Sequence, residues 1–260
     1  MIQYDCIERG GGMQKINVRG LDVSNVDMRE ALEFAKKNIE DGNTSVIYTP
    51  NAEIAQLCID DKSGGLFEVI NSADMIIPDG AGVVLASRIL KTPLKEKVAG
   101  IELAYHLIDY LDEIGGTLFL LGAKPEIVET AAGNLRAKHK NLKVFYNHGY
   151  FNRENPEENQ EVLDKVNESG ADAVFISFGA PAAEKWIFNN KHKINKGLLI
   201  GLGGTVDNLS GMLNKRAPKI FIKLNLEWFY RLMKNPSRLK RMMKLPKFIF
   251  GTHFYKINKK

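Results

Sequence analysis

The chain has 260 residues, of which 44% are hydrophobic and 26% are charged, as is ordinary for a soluble protein built on one large α/β domain. Its two cysteines, Cys6 and Cys58, lack paired spacing, which argues against a disulfide framework and a structural zinc site. No apolar run approaches the roughly 20 residues that span a bilayer, and the N-terminus lacks the apolar region of a signal peptide. We therefore expect a cytoplasmic protein.

The first twelve residues precede the patterned sequence and end in Glu-Arg-Gly-Gly-Gly directly before Met13. The codons for such a run are purine-rich and resemble a ribosome-binding site. One interpretation is that Met13 is the natural start and that residues 1–12 are a misannotated, disordered leader. The alternative is an ordinary flexible terminus. The intact mass of the natively expressed protein distinguishes the two.

From Met13 onward, short apolar or β-branched runs alternate with amphipathic segments of helical period. The runs predict strands at residues 15–18, 45–49, 75–77, 118–121, 143–146, 173–178 and 198–202. The amphipathic segments predict helices at residues 28–39, 83–90, 98–114, 125–139, 159–169 and 182–192. This alternation, with strands that are apolar on both sides, predicts an α/β fold with a mostly parallel, doubly wound sheet covered by helices.

In such sheets, ligands bind outside the carboxyl ends of the strands. Segments containing glycine, proline or polar residues follow the predicted strands at residues 49–51, 78–80, 121–123, 178–181 and 201–205. Each segment alone is common turn chemistry, whereas the five together indicate a ligand site at this edge. The dinucleotide fingerprint and the phosphate-binding P-loop motif are both missing from the sequence.

Asp79 is the leading candidate for a catalytic residue because it follows an apolar strand and precedes Gly80-Ala81-Gly82. A carboxylate at a strand tip can act as general base toward an acceptor hydroxyl. The alternative is that Asp79 caps the helix predicted at residues 83–90, which is a common role of aspartate.

Lys97, with nearby Lys95, can supply positive charge to a departing diphosphate, although the residues taken alone favour a solvated loop lysine at each position. The sequence has no D-x-D pair for a metal–nucleotide complex. Its histidines also lack metal-ligand spacing: His106, His139, His148, His192 and His253. We therefore expect chemistry without a metal and without a cofactor.

The last 47 residues form a basic segment, with fourteen Lys and Arg residues and one acidic residue, Glu227. The first 213 residues carry an excess of acidic side chains. In residues 214–260, large apolar and aromatic residues are interleaved with the basic ones, which suits an anionic membrane surface. The alternatives are a solvated face packed on the body, or nucleic-acid binding, which we disfavour because of the apolar density. Breaks at Asn235-Pro236 and Leu245-Pro246 predict two or three short helices.

Taken in order, the spaced motifs of the chain resemble those of the WecG/TagA/CpsF glycosyltransferases along essentially the whole sequence from Met13. The motifs are T-P-N-A-E at residues 49–53, P-D-G at 78–80, E-K-V-A-G at 96–100, G-A-P with E-K-W at 179–186, and K-R-A-P at 215–218 followed by L-E-W at 226–228. The resemblance implies a Rossmann-like α/β domain at residues 13–213 and a basic helical appendage at residues 214–260.

The resemblance also implies an inverting, metal-independent transfer of an amino sugar, typically N-acetylmannosamine, from a UDP-sugar to undecaprenyl-diphosphate-linked N-acetylglucosamine. The product serves teichoic acid or surface polysaccharide synthesis, and the enzyme works peripherally on the inner face of the cell membrane. The family's catalytic aspartate corresponds to Asp79, with Lys97 near the leaving diphosphate. We expect the substrate site to comprise Thr49, Asn51, Gly80, Gly122, Gly179, Glu184, Gly203 and Gly204, and the membrane contacts to comprise Arg231, Arg238 and Arg241.

Two positions depart from the family pattern. Lys97 stands where the family usually has Arg, so the bidentate guanidinium fork is lost. Ala182 and Ala183 stand where the family usually has Lys and Gln. These departures keep open a second reading, a catalytically weak or inactive membrane-associated relative that binds a nucleotide sugar or a partner enzyme. Self-association into a homo-oligomer also stays open.

Overall fold

The computed structural model describes residues 13–212, 217–218, 220–221, 227–234 and 239–258. The proposed leader at residues 1–12 lies outside the described residues.

The described residues form a six-stranded, entirely parallel sheet and a separate two-stranded antiparallel hairpin. The hairpin consists of β1 (Lys15–Val18) and β2 (Leu21–Ser24). The large sheet has the strand order β4-β3-β8-β7-β5-β6. Its strands are β3 (Ser45–Tyr48), β4 (Met75–Ile76), β5 (Thr117–Gly122), β6 (Lys143–Asn147), β7 (Ala173–Ser177) and β8 (Leu198–Gly201). This arrangement confirms the predicted α/β class and the parallel sheet.

Helices cover both faces of the sheet. In the body they are α1 (Met28–Asp41), α2 (Ala52–Asp60), α3 (Gly65–Asn71), α4 (Ala81–Ile89), α5 (Gly100–Glu113), α6 (Pro125–Lys138), α7 (Pro156–Ser169), α8 (Ala182–Asn190) and α9 (Thr205–Ser210). Successive residues of β5 point to opposite faces: Phe119 and Leu121 join the core with α2, α3, α7 and α8, whereas Leu118 and Leu120 join the core with α1, α5 and α6. The inner strands β3, β5, β7 and β8 are therefore buried on both sides, which explains their mostly apolar sequence, whereas the edge strand β6 is partly exposed.

The C-terminal helices are α10 (Glu227–Lys234), α11 (Leu239–Met242) and α12 (Lys244–Asn258). The predicted break at Leu245-Pro246 lies two residues earlier in the structure, at Met243 between α11 and α12, and the predicted break at Asn235-Pro236 lies outside the described residues. Pro246 lies in the first turn, where its missing N–H has no intrahelical partner to lose. Within the part of the chain that the structure describes, no helix is both long enough and apolar enough to cross a membrane.

Helix α12 packs on α2 and α4 through a stripe of residues at helical spacing. Phe248 and Thr252 are fully buried, and a side chain at Gly82 of α4 would come within 2.7 Å of the Leu245 side chain. Ion pairs to Asp60 at the end of α2 flank this stripe, from Lys247 at 2.7 Å and Lys244 at 3.5 Å. The C-terminal helix is thus seated on the body of the protein.

The β1–β2 hairpin, whose second strand the sequence patterns did not predict, contacts α12 through its turn. Its turn residues Arg19 and Gly20 have φ values of 56° and 97°, the left-handed conformation of tight hairpin turns. The guanidinium of Arg19 stacks over the ring of Tyr255, 4.9 Å from its centroid. The hairpin therefore helps to position the helix that reaches the candidate site.

Candidate functional site

Two adjoining cavities open at the carboxyl ends of the parallel strands, where the sequence predicted a ligand site. The larger, of about 710 Å³, is called here the apolar cavity because Val84 and Leu85 of α4 and Leu245 and Ile249 of α12 form its wall. The smaller, of about 370 Å³, is called the polar cavity and follows the ends of β3, β4, β7 and β8. The residues that line both cavities are Asn51, Glu53, Asp79, Arg241 and Met242.

Asp79 lies half-buried at the junction of the two cavities, just beyond the tip of β4. Its N–H donates to the carbonyl of Ile77 at 2.9 Å, and the adjacent Pro78 carbonyl accepts from the N–H of Val98 at 3.1 Å. Hydrogen bonds therefore fix the backbone of Asp79 and of the preceding residue. Helix α4 begins at Ala81 with Gly80 as its N-cap, so the alternative N-cap role of Asp79 is wrong.

Gly80 lines the apolar cavity at a φ of 82°, a left-handed conformation that glycine adopts without strain. Asn51 faces both cavities and caps α2, its side-chain oxygen accepting from the N–H groups of Glu53 at 2.9 Å and Ile54 at 3.1 Å. Thr49 lines the polar cavity and donates its hydroxyl to the carbonyl of Gly201 at 2.9 Å. The cap and the cross-strand bond hold both side chains in fixed positions.

Positive charge lies along one wall of the apolar cavity, on Arg88, Lys95 and Lys97. Lys95 pairs with Glu30 of α1 at 2.5 Å, and Glu96 accepts from the N–H of Met28 at 2.8 Å. These contacts anchor the loop of residues 92–97 to the start of α1. Lys97 is half-buried on this anchored loop, so its placement argues against the solvated-loop alternative, whereas Lys95 is exposed and already paired.

Glu184, in the first turn of α8, lies at the polar cavity and is only 4% exposed. Its main-chain carbonyl accepts from the hydroxyl of Tyr48 at 3.0 Å. Its Oε2 atom is buried without a hydrogen-bond partner among the described residues. Burial raises the pKa of this carboxyl to about 7.

The glycines named from the sequence divide into two groups. Gly179, Gly203 and Gly204 line the polar cavity together with Asp207 and Asn208 of α9. Gly122 lines neither of these two cavities. Its φ is 134°, and a Cβ at this position would lie 2.5 Å from the carbonyl oxygen of Ser177, so close packing between β5 and β7 requires a glycine. A direct substrate contact by Gly122 stays a prediction.

Among the three appendage arginines, Arg241 of α11 reaches the site. Its Nε donates to Glu53 Oε1 at 2.7 Å, at the point where the two cavities meet. The side chain of Arg231 and all of Arg238 lie outside the described residues. Membrane contact by these three residues stays a prediction.

Sequence reasoning missed the cavity residues that become neighbours only through the packing of α12 on α2 and α4: Met242, Leu245 and Ile249. The interleaved apolar and basic residues of the tail were the available signal, but they did not indicate which face turns inward. Among the described residues, no cluster of His, Cys, Asp and Glu side chains could hold a metal ion.

Comparison with known proteins gives a consistent family match. A family model described as the glycosyl transferase WecG/TagA/CpsF family matches residues 16–260. A protein of Bacillus subtilis (strain 168) named N-acetylglucosaminyldiphosphoundecaprenol N-acetyl-beta-D-mannosaminyltransferase is 34% identical over 250 residues, 95% of this chain and 94% of its own length. A protein of the same name from Staphylococcus aureus (strain MW2) is 31% identical over 246 residues, 94% of each chain.

Proposed function

Because the chain belongs to the WecG/TagA/CpsF family of glycosyltransferases, we propose that it transfers N-acetylmannosamine, or a related amino sugar, from a UDP-sugar to undecaprenyl-diphosphate-linked N-acetylglucosamine. The names of the relatives from Bacillus subtilis and Staphylococcus aureus support this acceptor and this sugar. The product serves teichoic acid or surface polysaccharide synthesis. The observation that carries the proposal is the position of Asp79 at the junction of a polar and an apolar cavity.

The two cavities suit the two substrates of such a transfer. The polar cavity is lined by Thr49, Ser177 and Asn208, which donate to main-chain carbonyls and whose side-chain oxygens can accept hydrogen bonds from a UDP-sugar. The glycine backbone at 203–204 can be approached closely by a phosphate. The apolar cavity offers Leu85, Leu245 and similar side chains, with lysines at one wall. We assign the UDP-sugar to the polar cavity and the lipid diphosphate to the apolar cavity.

In this arrangement Asp79 acts as general base. Its carboxylate takes the proton of the acceptor hydroxyl while that oxygen bonds to the anomeric carbon from the face opposite UDP. The bond between the anomeric carbon and the diphosphate oxygen breaks with its electron pair, so the configuration is inverted and UDP leaves as an anion. Arg241, which lines both cavities, supplies positive charge for that anion without a metal, and Lys97, which lines the apolar cavity alone, supplies positive charge to the diphosphate of the lipid acceptor.

We also propose that α12 rests on the inner surface of the cell membrane. Its outward residues Phe250, Phe254 and Ile257 recur at helical spacing and are exposed. They lie on the face opposite the stripe that packs on the body. An apolar face beside basic residues is the pattern of interfacial helices, and this placement brings the mouth of the apolar cavity toward a lipid-linked acceptor.

The test is transfer from UDP-N-acetylmannosamine to a short-chain lipid-diphosphate N-acetylglucosamine in the presence of EDTA. Loss of a general base typically costs about 10²–10⁴-fold in rate, so Asp79→Asn should lose nearly all product while UDP-sugar binding persists. Asp164→Asn, on the exposed face of α7, is the matched control and should retain wild-type activity. Equal activity of Asp79→Asn and wild type would refute the assignment.

A second candidate, a weakly active or inactive relative that binds a nucleotide sugar, is favoured by one observation. Ala183 presents a methyl group to the polar cavity where the family motif has an amide. This candidate predicts that the wild-type protein binds the UDP-sugar but forms no product in the transfer assay. Product formed with any UDP-amino sugar would refute this second candidate.

A further inference from the structure

The side chain of Glu184 is buried at the polar cavity, close to the end of β8. An added Cβ at Gly201, the last residue of β8, would make ordinary van der Waals contact with Glu184 Oε1 at 3.8 Å and with the ring of Tyr48 at 3.4 Å. The carboxyl group of Glu184 therefore lies close to the backbone at the end of β8.

The Oε2 atom of Glu184 has no hydrogen-bond partner among the described residues. Leaving a buried polar group unpaired costs about 1–3 kcal/mol, and an unpaired charge costs more. This unpaired carboxyl oxygen lies at a ligand-sized cavity, although the side chain of glutamine or leucine could fill a similar volume there. Such a group is explained if a ligand completes its hydrogen bonding.

The surroundings of Glu184 favour its neutral form. On neighbouring elements, burial raises the pKa of the Tyr48 hydroxyl on β3 above its usual value and that of the Cys58 thiol on α2 to about 12, so both are uncharged. Strand β8 carries no titratable side chain, and the titratable side chain of α3, Glu68, is exposed. On its own helix the neighbouring Lys185 is exposed. The other charged residues that line the cavity are Glu53, Asp79, Asp207 and Arg241.

A neutral carboxylic acid differs from a carboxylate in its hydrogen-bonding capacity, because it carries one O–H donor. Rotation about the terminal torsion of glutamate is broad and two-fold, so either oxygen can turn toward the cavity at little cost. Nucleotide sugars present many acceptor oxygens, on the N-acetyl group, the sugar ring and the uracil. A carboxylate in the same place would repel those oxygens.

Building on the proposed function, we propose that Glu184 binds the nucleotide-sugar donor as a neutral carboxylic acid that donates its hydrogen to an acceptor oxygen of that ligand. Ionisation of Glu184 then weakens donor binding. Since the pKa of the carboxyl is about 7, about nine-tenths of the protein is binding-competent near pH 6 and about one-tenth near pH 8. The apparent Kd should rise about tenfold across this interval.

The experiment measures the Kd of UDP-N-acetylmannosamine by titration calorimetry near pH 6 and pH 8. The sugar diphosphate has no group of its own that titrates in this range. Wild type, Glu184→Gln, Glu184→Leu and the exposed control Glu68→Gln are compared. Glutamine keeps the size and an N–H donor but cannot ionise, so Glu184→Gln should bind within a few-fold of wild type near pH 6 and lose the pH dependence. Glu184→Leu should bind about tenfold more weakly near pH 6.

Uridine serves as a second probe, because it lacks both sugar and phosphate. A tenfold pH effect on uridine assigns the acceptor oxygen to the nucleoside, and an effect on the nucleotide sugar alone assigns it to the sugar; both support the proposal. A pH-independent Kd in wild type, or the same pH dependence in Glu184→Gln, would overturn it while leaving the transferase function intact. Failure of wild type to bind the nucleotide sugar at either pH would overturn the proposed function and this inference together.

Discussion

Phe248 and Phe250 lie two residues apart on α12 and differ completely in environment. Phe248 is 0% exposed and belongs to the core shared with α2 and α4, whereas Phe250 is 67% exposed. A buried Phe→Ala change loses the transfer free energy of the ring and leaves a cavity, at a typical cost of about 3–5 kcal/mol. Because Phe248 is fully enclosed, we expect about 4 kcal/mol for Phe248→Ala. The same change at Phe250 should alter stability by less than about 0.5 kcal/mol.

Urea unfolding of the full chain, followed by far-UV circular dichroism, measures the difference. If α12 unfolds with the body, the midpoint of Phe248→Ala falls and that of Phe250→Ala does not. If α12 detaches first, the loss appears as faster proteolysis within residues 243–258 of the Phe248 variant under native conditions. Activity provides a further readout, since α12 supplies Leu245 and Ile249 to the apolar cavity, and the KM for the lipid acceptor should rise. Equal stability and equal proteolysis of the two variants would refute the packing described for α12.

Three further predictions concern pH, charge and the membrane. The pKa of Glu184 is about 7 in the folded protein and 4.5 in the unfolded chain, so the folded state binds this proton more tightly. The resulting contribution to the free energy of unfolding is complete below pH 4.5, and about 3 kcal/mol of it is lost as the pH rises from 4.5 through 7. Glu184→Gln should remove this part of the pH dependence of the unfolding free energy. Arg241→Ala should lower the transfer rate more than tenfold yet move the urea midpoint little, because an exposed ion pair contributes about 0–1 kcal/mol. The double variant Phe250→Asp and Phe254→Asp should lose sedimentation with anionic vesicles without change in the urea midpoint.

Much of the α/β body could be predicted because buried parallel strands have a local signature. The strands around Ile47, Phe119 and Phe175 are buried at every position and mostly apolar, since helices cover both of their faces. The turn of the β1–β2 hairpin carries no such signature. Its Arg19-Gly20 turn depends on a positive φ at an arginine, a conformation that turn residues such as Asn and Asp adopt more readily.

The site could be predicted where it depends on strand ends and not where it depends on tertiary packing. Asp79 was found because any residue just after a parallel strand reaches the ligand-binding edge. The burial of Glu184 depends on packing against residues that are distant in sequence, among them Tyr48, whose hydroxyl donates to the main-chain carbonyl of Glu184. The inward position of Leu245 depends on Gly82, where a Cβ would lie 2.7 Å from the Leu245 side chain, and Gly82 does not differ locally from an ordinary helix glycine. Contacts of this kind appear only once the helices are placed.

The position of Arg241 connects the basic C-terminal segment to the chemistry. Its guanidinium pairs with Glu53 beside Asp79, while Phe250 and Phe254 of the next helix face outward. A membrane surface that holds the outward face of α12 therefore also holds the chain segment that carries Arg241. Leu85 of α4 and Leu245 of α12 both line the apolar cavity, so in the proposed reaction a lipid diphosphate bound there contacts both helices. A segment that is both basic and apolar thus suits membrane binding and acceptor binding, since the membrane and the lipid-linked acceptor both present hydrocarbon chains and phosphate groups.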